Sequence, residues 1–335
     1  MNKSTRTMSK LLPLLNPLGT FCLRGGDNAK LTILIYHSIM TEHDPFRPGE
    51  PTAQMFEQQM QILSSHFNVF PLTEAIDRLY KGSLPPRSAC ITFDDGYTDN
   101  LTIGVDILKR HSLTATFFLT SGFIDSGIMW NDIIIESMRN TKKDSLDLGM
   151  IGLGNYILST TEDRCKAANH IINSLKYIPF QERLDQVNQI VELSQSELPD
   201  NLMMNAEQIK QLYDSGMEVG GHTVSHPILQ QIDLKTAHSE IMENKDHIEG
   251  IIKDKLSVFA YPNGRPNQDY SDEHVKLLKQ LGFTSAVSTA WGAGNAACDR
   301  FQLPRFTPWD KTPARFMLRL YQNAFKKLPE QILGG

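Results

Sequence analysis

Apolar positions along this chain follow two alternating rhythms. Short continuous runs, rich in β-branched and aromatic residues, recur at 31–36, 89–93, 115–119, 217–221, 257–261 and 283–288. Runs this short and this largely apolar read as strands buried on both faces. Helical spacing appears between them, as over 53–65, where Met55, Phe56, Met60, Ile62 and Leu63 share a face. Further helices are expected over 73–80, 98–111 and 236–252. Strands alternating with helices predict a largely parallel α/β sheet or barrel. From 123 to 205 the alternation lapses into a polar, helix-rich segment with helical patterns at 133–138, 164–175 and 182–193. It reads as an insertion, either a lid over the strand ends or a cover for the barrel wall. After Trp309, Arg315, Arg319, Lys326 and Lys327 alternate with Phe316, Leu318, Leu320 and Phe325. That pattern predicts an amphipathic helical tail over 311–335, read as a packing helix in preference to a membrane-surface one.

Composition narrows the class only moderately. The 335 residues are 40% hydrophobic and 21% charged, as in an ordinary soluble protein. A net charge of −5 gives no global basic field, so nucleic acid is not expected as a partner. Cys22, Cys90, Cys165 and Cys298 lie far apart with no CxxC pair, and suggest neither a cysteine metal site nor a disulfide framework. Lys3, Arg6 and Lys10 precede Leu11-Leu12-Pro13-Leu14-Leu15, which superficially resembles an export signal. Pro13, Asn16 and Pro17 interrupt it, and no small-x-small cleavage site follows clearly. Residues 1–30 are therefore read as a leader or loosely ordered segment. A cytoplasmic or membrane-peripheral location is expected over export, peripheral membrane contact stays open, and the oligomeric state is not legible.

Polar residues gather where the strands end. His37 follows 31–36, Asp94 and Asp95 follow 89–93, His222 follows 217–221, and Asn263-Gly264 follow 257–261. Chemistry at the C-terminal ends of several strands is the layout of a (β/α) barrel active site. Adjacent buried carboxylates repel unless a cation or partner compensates them. In an extended strand Asp94 and Asp95 point to opposite sides, so a turn is needed to bring both to one site. A helix N-cap for the helix over 98–111 is the plain structural alternative. His222 and His226, four apart, face one side if the chain continues as a helical turn, and Gly220-Gly221 and Pro227 read as residues that let it turn tightly. Two surface histidines are the bland alternative. Two imidazoles and one carboxylate make a three-ligand site for a divalent metal with positions open to water. The second carboxylate is left free as a base, which points to a metal-dependent hydrolase.

Thr92-Phe93-Asp94-Asp95-Gly96, His222-Thr-Val-Ser-His226 and Phe259-Ala-Tyr-Pro262-Asn-Gly264 are similar, in order, to the first three motifs of the polysaccharide deacetylase family, carbohydrate esterase family 4. The resemblance implies a distorted (β/α)7-type barrel over 31–310, with the insertion at 123–205. It implies removal of N-acetyl groups from an acetylated glycan with a divalent metal, zinc first and cobalt or nickel also suited. It also implies Asp94 as general base, and Asp95, His222 and His226 as metal ligands. The family's third motif usually carries an arginine that orients the base and an aromatic residue whose backbone N–H holds the oxyanion; here those positions read Ala260 and Asn263. The backbone donor at Asn263 survives the change but the arginine does not; Arg305, in Leu303-Pro304-Arg305, and Arg265 are candidates to substitute, with an ordinary surface salt bridge as the plain alternative for either. The late Leu-x-x-His motif is also missing, since no histidine follows His274. Ile35-Tyr36-His37-Ser38 resembles the subgroup of biofilm poly-N-acetylglucosamine deacetylases, which implies His37 as general acid.

Tyr97, Trp291, Trp130 and Trp309 are candidates for the cleft wall, although large aromatics more often pack. Three other functions stand beside the deacetylase. One is a catalytically weak or inactive carbohydrate-binding or assembly protein on the same fold, suggested by Ala260 and the absent late histidine. Another is a hydrolase of a different non-peptide C–N bond. A two-histidine, one-carboxylate iron oxygenase would need a different ligand order.

Overall fold

The computed structural model describes residues 23–125, 127–327 and 331–332, so the reading of residues 1–22 lies outside it. Seven parallel strands form the frame: β1 (Leu31–Tyr36), β3 (Ser88–Phe93), β4 (Thr116–Leu119), β7 (Glu218–Gly221), β8 (Val258–Ala260), β9 (Ser285–Trp291) and β10 (Leu303–Arg305), hydrogen-bonded in that order. The short β2 (Asn68–Val69) pairs with the start of β3, which β4 leaves open because it registers only with Thr92 and Phe93. Just past β10, Phe306 exchanges backbone hydrogen bonds with Ile33 and Ile35 of β1, at 2.7 and 3.0 Å. These bonds bring the sheet round into a nearly closed barrel, as the alternating pattern predicts.

The period of two sorts the strand residues into two packed layers. Ile33, Cys90, Phe118, Val258, Val287 and Leu303 belong to one apolar cluster; their neighbours Leu34, Ile91, Phe117, Phe259 and Ala286 belong to the other. The second layer meets α1 (Ala53–His66), α7 (Ala206–Asp214), α8 (Leu234–Ile252), α9 (Asp272–Gln280) and α10 (Pro313–Phe325). Through Leu72, Ala75, Ile76 and Leu79, α2 (Leu72–Tyr80) joins the first layer instead. Its N-terminal N–H groups at Leu72 and Thr73 donate to the Glu218 carboxylate at 2.9 and 3.2 Å. That carboxylate, at the start of β7, complements the positive helix end and fixes α2 at the N-terminal end of the barrel.

The helix expected over 98–111 is divided. A π-helical turn, Asn100–Val105, precedes α3 (Asp106–Arg110), and no side chain caps its start. The insertion contains α4 (Trp130–Asn140), α5 (Thr161–Leu175) and α6 (Phe180–Ser194), as its periodicity indicates. It also contains an antiparallel hairpin that the helix-rich reading missed, β5 (Ser145–Leu148) with β6 (Gly154–Ile157). Only Leu146 and Leu148 alternate with polar neighbours there, too short a signal to stand out. These elements share their own core of Ile134, Met138, Leu148, Ile171 and Ile190, joined by Phe46. Arg47 ties that core to the barrel by an ion pair with Asp132 of α4 at 2.9 Å. The tail helix α10 buries Phe316, Met317, Leu320, Tyr321 and Ala324 in the main core, while Leu318 and Phe325 stay exposed.

Candidate active site

A cavity of about 580 Å³ opens at the C-terminal ends of the strands. His37, Asp94, Asp95, His222, His226 and Asn263 all line it, as do Tyr97, Trp291 and Arg305. The structure thus brings the sequence-selected residues into one space.

Alternation places Cys90, Thr92 and Asp94 on one face of β3 and its exit, and Leu303 and Arg305 on one face of β10. Arg305 therefore stands at the mouth of the barrel opposite Asp94. Its Nη1 and Nη2 each lie 2.7 Å from a different Asp94 oxygen, a two-pronged ion pair. Thr92 Oγ1 and the Ser288 carbonyl accept from the remaining face of the guanidinium, at 3.2 and 2.9 Å. Burial alone raises the Asp94 carboxyl, yet the charge and hydrogen bonds of Arg305 hold it below its ordinary value. Arg265, the other candidate for this place, is exposed and engages Gln268 instead.

β3 ends at Phe93, and Asp95 takes a φ of +76°, so the turn needed to aim both carboxylates at one site is present. Asp95 Oδ1 lies 3.5 Å from His222 Nε2 and 3.6 Å from His226 Nε2. Those separations are long for strong hydrogen bonds, and this buried oxygen has no donor among the described residues. Burial raises the Asp95 carboxyl, but the surrounding imidazoles His222, His226 and His37 bring it well below the usual carboxylate range. The ligand atoms of Asp95, His222 and His226 all lie within 4.8 Å of one another. An orphaned buried carboxylate oxygen facing two imidazole nitrogens fits a divalent cation, and borderline metals such as zinc suit that donor set. His222 Nδ1 donates to the Ala260 carbonyl at 2.7 Å, which leaves Nε2 as a lone-pair donor. His226 is pushed down to about 4, chiefly by burial, and so is neutral as a ligand must be.

The histidines do not lie on a helical turn. Residues 222–226 form an irregular loop with positive φ at Thr223 (+65°) and His226 (+54°). Gly220 and Gly221, read from the sequence as turn residues, are instead in β7. A Cβ on Gly220 would come within 2.6 Å of the Phe118 ring and 2.9 Å of the Val258 carbonyl, so close strand packing requires this glycine. Two residues that sequence reading missed shape the loop. Glu240 accepts from the Val224 and Ser225 N–H groups at 2.9 and 2.8 Å. Asn244 accepts from the His222 N–H at 3.1 Å and donates to the Thr223 carbonyl at 2.7 Å. Their spacing of four on α8 is the signal that puts both on one face.

His37 leaves β1 into a braced loop. Asn100 donates to its carbonyl at 2.7 Å, Asp99 accepts from Ile39 N–H at 3.0 Å, and Glu50 accepts from Ser38 N–H at 3.2 Å. Burial disfavours the imidazolium, but Asp95, Glu50 and Asp94 together raise the His37 pKa above its ordinary value. Asn263 has a φ of +57°, and its N–H meets no acceptor among the described residues. Tyr97 is buried, and its hydroxyl donates to Asp132 at 2.8 Å. Its ring supports the cavity wall while its hydroxyl anchors the insertion. Trp291 packs against Trp309, Arg319 and Lys326 at the other side.

A barrel carrying two carboxylates, three imidazoles and a buried arginine at its strand ends defines a hydrolase-type site. The polysaccharide deacetylase family model matches residues 81–286, and the chain belongs to that family of enzymes. YxkH of Bacillus subtilis (strain 168) is 23% identical over 279 residues, covering 83% of this chain and 71% of the relative. The peptidoglycan-N-acetylmuramic acid deacetylase PdaA of the same organism is 31% identical over 147 residues, covering 43% of this chain and 48% of PdaA. Among solved structures, the Streptococcus pyogenes deacetylase PplD superposes with a TM-score of 0.58 at 19% identity, over 89% of this chain and 99% of PplD. IcaB from Ammonifex degensii gives 0.56 at 17%, over 90% and 98%. At these identities the likeness is one of fold. His37 and Arg305 both lie outside the matched 81–286, and the three-dimensional contact alone pairs Arg305 with Asp94.

Proposed function

We propose that this protein is a metal-dependent N-deacetylase of an N-acetylhexosamine-containing polysaccharide or oligosaccharide in exopolysaccharide or cell-envelope glycan metabolism. The observation that carries this reading is the division of labour between adjacent acids. Asp95 faces two imidazoles with a free oxygen, while Asp94 is gripped by Arg305 and held ionised beside them. Asp95, His222 and His226 would hold the cation, with zinc first and cobalt or nickel also compatible with the donor set. When bound, a divalent cation there supplies a Lewis acid for the acetyl carbonyl and lowers the pKa of a water.

The protein's own residues then divide the proton work. Asp94 accepts the proton of the attacking water as the carbon–oxygen bond forms. Arg305 fixes the carboxylate in the plane where it meets that water. The Asn263 N–H donates to the oxygen of the tetrahedral intermediate. His37 gives its proton to the leaving nitrogen as the C–N bond breaks, releasing acetate and a free amino sugar. Trp291 and Tyr97 contribute apolar wall.

The binding-only alternative rested on the absent third-motif arginine and the absent late histidine. Arg305 supports the catalytic reading by supplying a guanidinium from another strand, and His37 stands in the same cavity. The test is acetate release from N-acetylglucosamine oligomers and acetylated exopolysaccharides by chelator-treated and zinc-reloaded protein. Acetate formed only with metal, and absent in Asp94→Asn, supports the deacetylase. Release of formate or ammonia instead of acetate assigns a different C–N bond, and silence with every substrate overturns the reading.

A further inference from the structure

The cavity that holds the proposed catalytic groups extends under the insertion, where its lining becomes cationic. Lys176 from the end of α5, Arg183 of α6 and Arg265 after β8 all line this part. Arg183 is only 3% exposed, yet no carboxylate pairs with it among the described residues. Its guanidinium lies 4.8 Å from the Trp130 ring centroid, and its single hydrogen bond there is from Nη1 to the Lys176 carbonyl at 3.1 Å. A guanidinium so buried normally has an acidic partner, because its desolvation is otherwise uncompensated. Burial and then the neighbouring charge of Arg265 lower the Lys176 pKa. Among the described residues, Asp269 is the acid whose charge acts on Lys176 and Arg265; one of its oxygens accepts from the Arg265 backbone N–H at 2.9 Å. Three cations against one carboxylate leave an unbalanced excess. The other arginine on this side, Arg47, is neutralised by Asp132, Glu136 and Asp44.

We propose that Lys176, Arg183 and Arg265 form a subsite for an anionic group of the substrate, so that the preferred glycan carries a carboxylate or phosphate near its acetamido sugar. The inference deepens the deacetylase reading and rests on it for the identity of the acetamido group. An anion would supply the acidic partner that the Arg183 guanidinium lacks, and paired oxygens of a carboxylate or phosphate match its donors. The Trp130 ring beneath Arg183 gives an adjoining sugar an apolar surface. Arg265 is free for this role because Arg305 already occupies the position beside Asp94.

Equilibrium binding tests the subsite independently of turnover. Calorimetry would compare a trisaccharide alternating N-acetylglucosamine with glucuronic acid, N-acetylglucosamine 1-phosphate, and neutral N-acetylglucosamine trimer. The carboxylate and phosphate probes separate the two sources of charge. At least one acidic probe should bind roughly tenfold more tightly than the neutral trimer, with an affinity that falls as salt rises. The double variant K176Q/R265Q should remove that advantage while leaving neutral binding unchanged, and it spares the buried Arg183, which packs against Trp130 and Phe180. Equal binding of acidic and neutral probes, or an advantage untouched in the double variant, overturns the subsite. Selective binding without acetate release from any substrate would keep the subsite and reject the deacetylase. Acetate release with no charge selectivity would do the reverse.

Discussion

Arg305 reaches across the barrel mouth from β10 to grip both oxygens of Asp94, on the exit of β3, at 2.7 Å each. The two strands are separated by one neighbour, β1, in the closed sheet. The pair does two jobs at once: it keeps a buried acid ionised and sets the direction in which its lone pairs point.

Geometry, more than charge, is what Arg305 contributes. Arg305→Lys keeps the positive charge but loses the fork, and is expected to lower kcat roughly 10²-fold through misorientation of Asp94. Arg305→Met leaves a buried carboxylate unpaired and should cost about 3–5 kcal/mol of stability. Acetate release and chemical denaturation of the two variants separate these effects. Wild-type kcat in Arg305→Lys would remove the orienting role.

Cation binding is expected to stabilise the fold as well as activate it. Zinc at a hundredfold excess over its Kd should raise unfolding stability by about 2.7 kcal/mol. Asp95→Asn and His222→Ala should lose both this increment and bound zinc, read by differential scanning calorimetry and elemental analysis. Asp94→Asn should keep zinc while losing activity, because its carboxylate is engaged by Arg305.

The loop carrying the two histidines depends on Glu240. Glu240→Gln exchanges one charged acceptor of two backbone N–H groups for a neutral amide. Zinc affinity is expected to fall roughly 10–100-fold, as for other outer-shell changes. Competition with a chelating dye reads this directly, and an unchanged affinity would show that the loop holds its shape without this carboxylate.

As the proposed proton donor, His37 is expected to set an alkaline limit on activity. Its pKa is raised because Asp95, Glu50 and Asp94 outweigh the effect of burial. The proton donor is therefore present below that raised pKa and is lost as pH rises through it. The kcat/KM profile should fall on the alkaline side, and His37→Ala should lower the rate about 10²–10⁴-fold and abolish that limb. Persistence of the same limb in His37→Ala would assign it to another group.

The insertion is anchored through Asp132, which binds both Arg47 and the Tyr97 hydroxyl, at 2.9 and 2.8 Å. Tyr97→Phe removes one partner and should cost about 0.5–1.5 kcal/mol. If Tyr97 touched sugar through its hydroxyl, the loss would appear in KM instead; urea titration alongside kinetics distinguishes the two.

Much of this molecule is determined by local sequence. Runs such as 31–36 and 89–93 hold only apolar residues and one threonine each, so both faces of each strand must be covered and a largely parallel sheet or barrel follows. The Asp94-Asp95 pair, His222 and His226 are legible because each sits where a strand ends and chemistry of that type has few other uses. The C-terminal helix shows in its periodic apolar face. Tertiary structure alone decided the rest. Neither Arg305 nor Arg265 is distinguished by its neighbours in sequence; Arg305 meets Asp94 because barrel closure brings β10 beside β1. The loop at 223–226 is shaped by Glu240 and Asn244, distant in sequence, which overrides the helical spacing of its histidines. Gly220 likewise answers to the Phe118 ring and the Val258 carbonyl, not to a turn. Local periodicity records which face of an element is buried, whereas the partner of a polar group is set by which distant elements pack together.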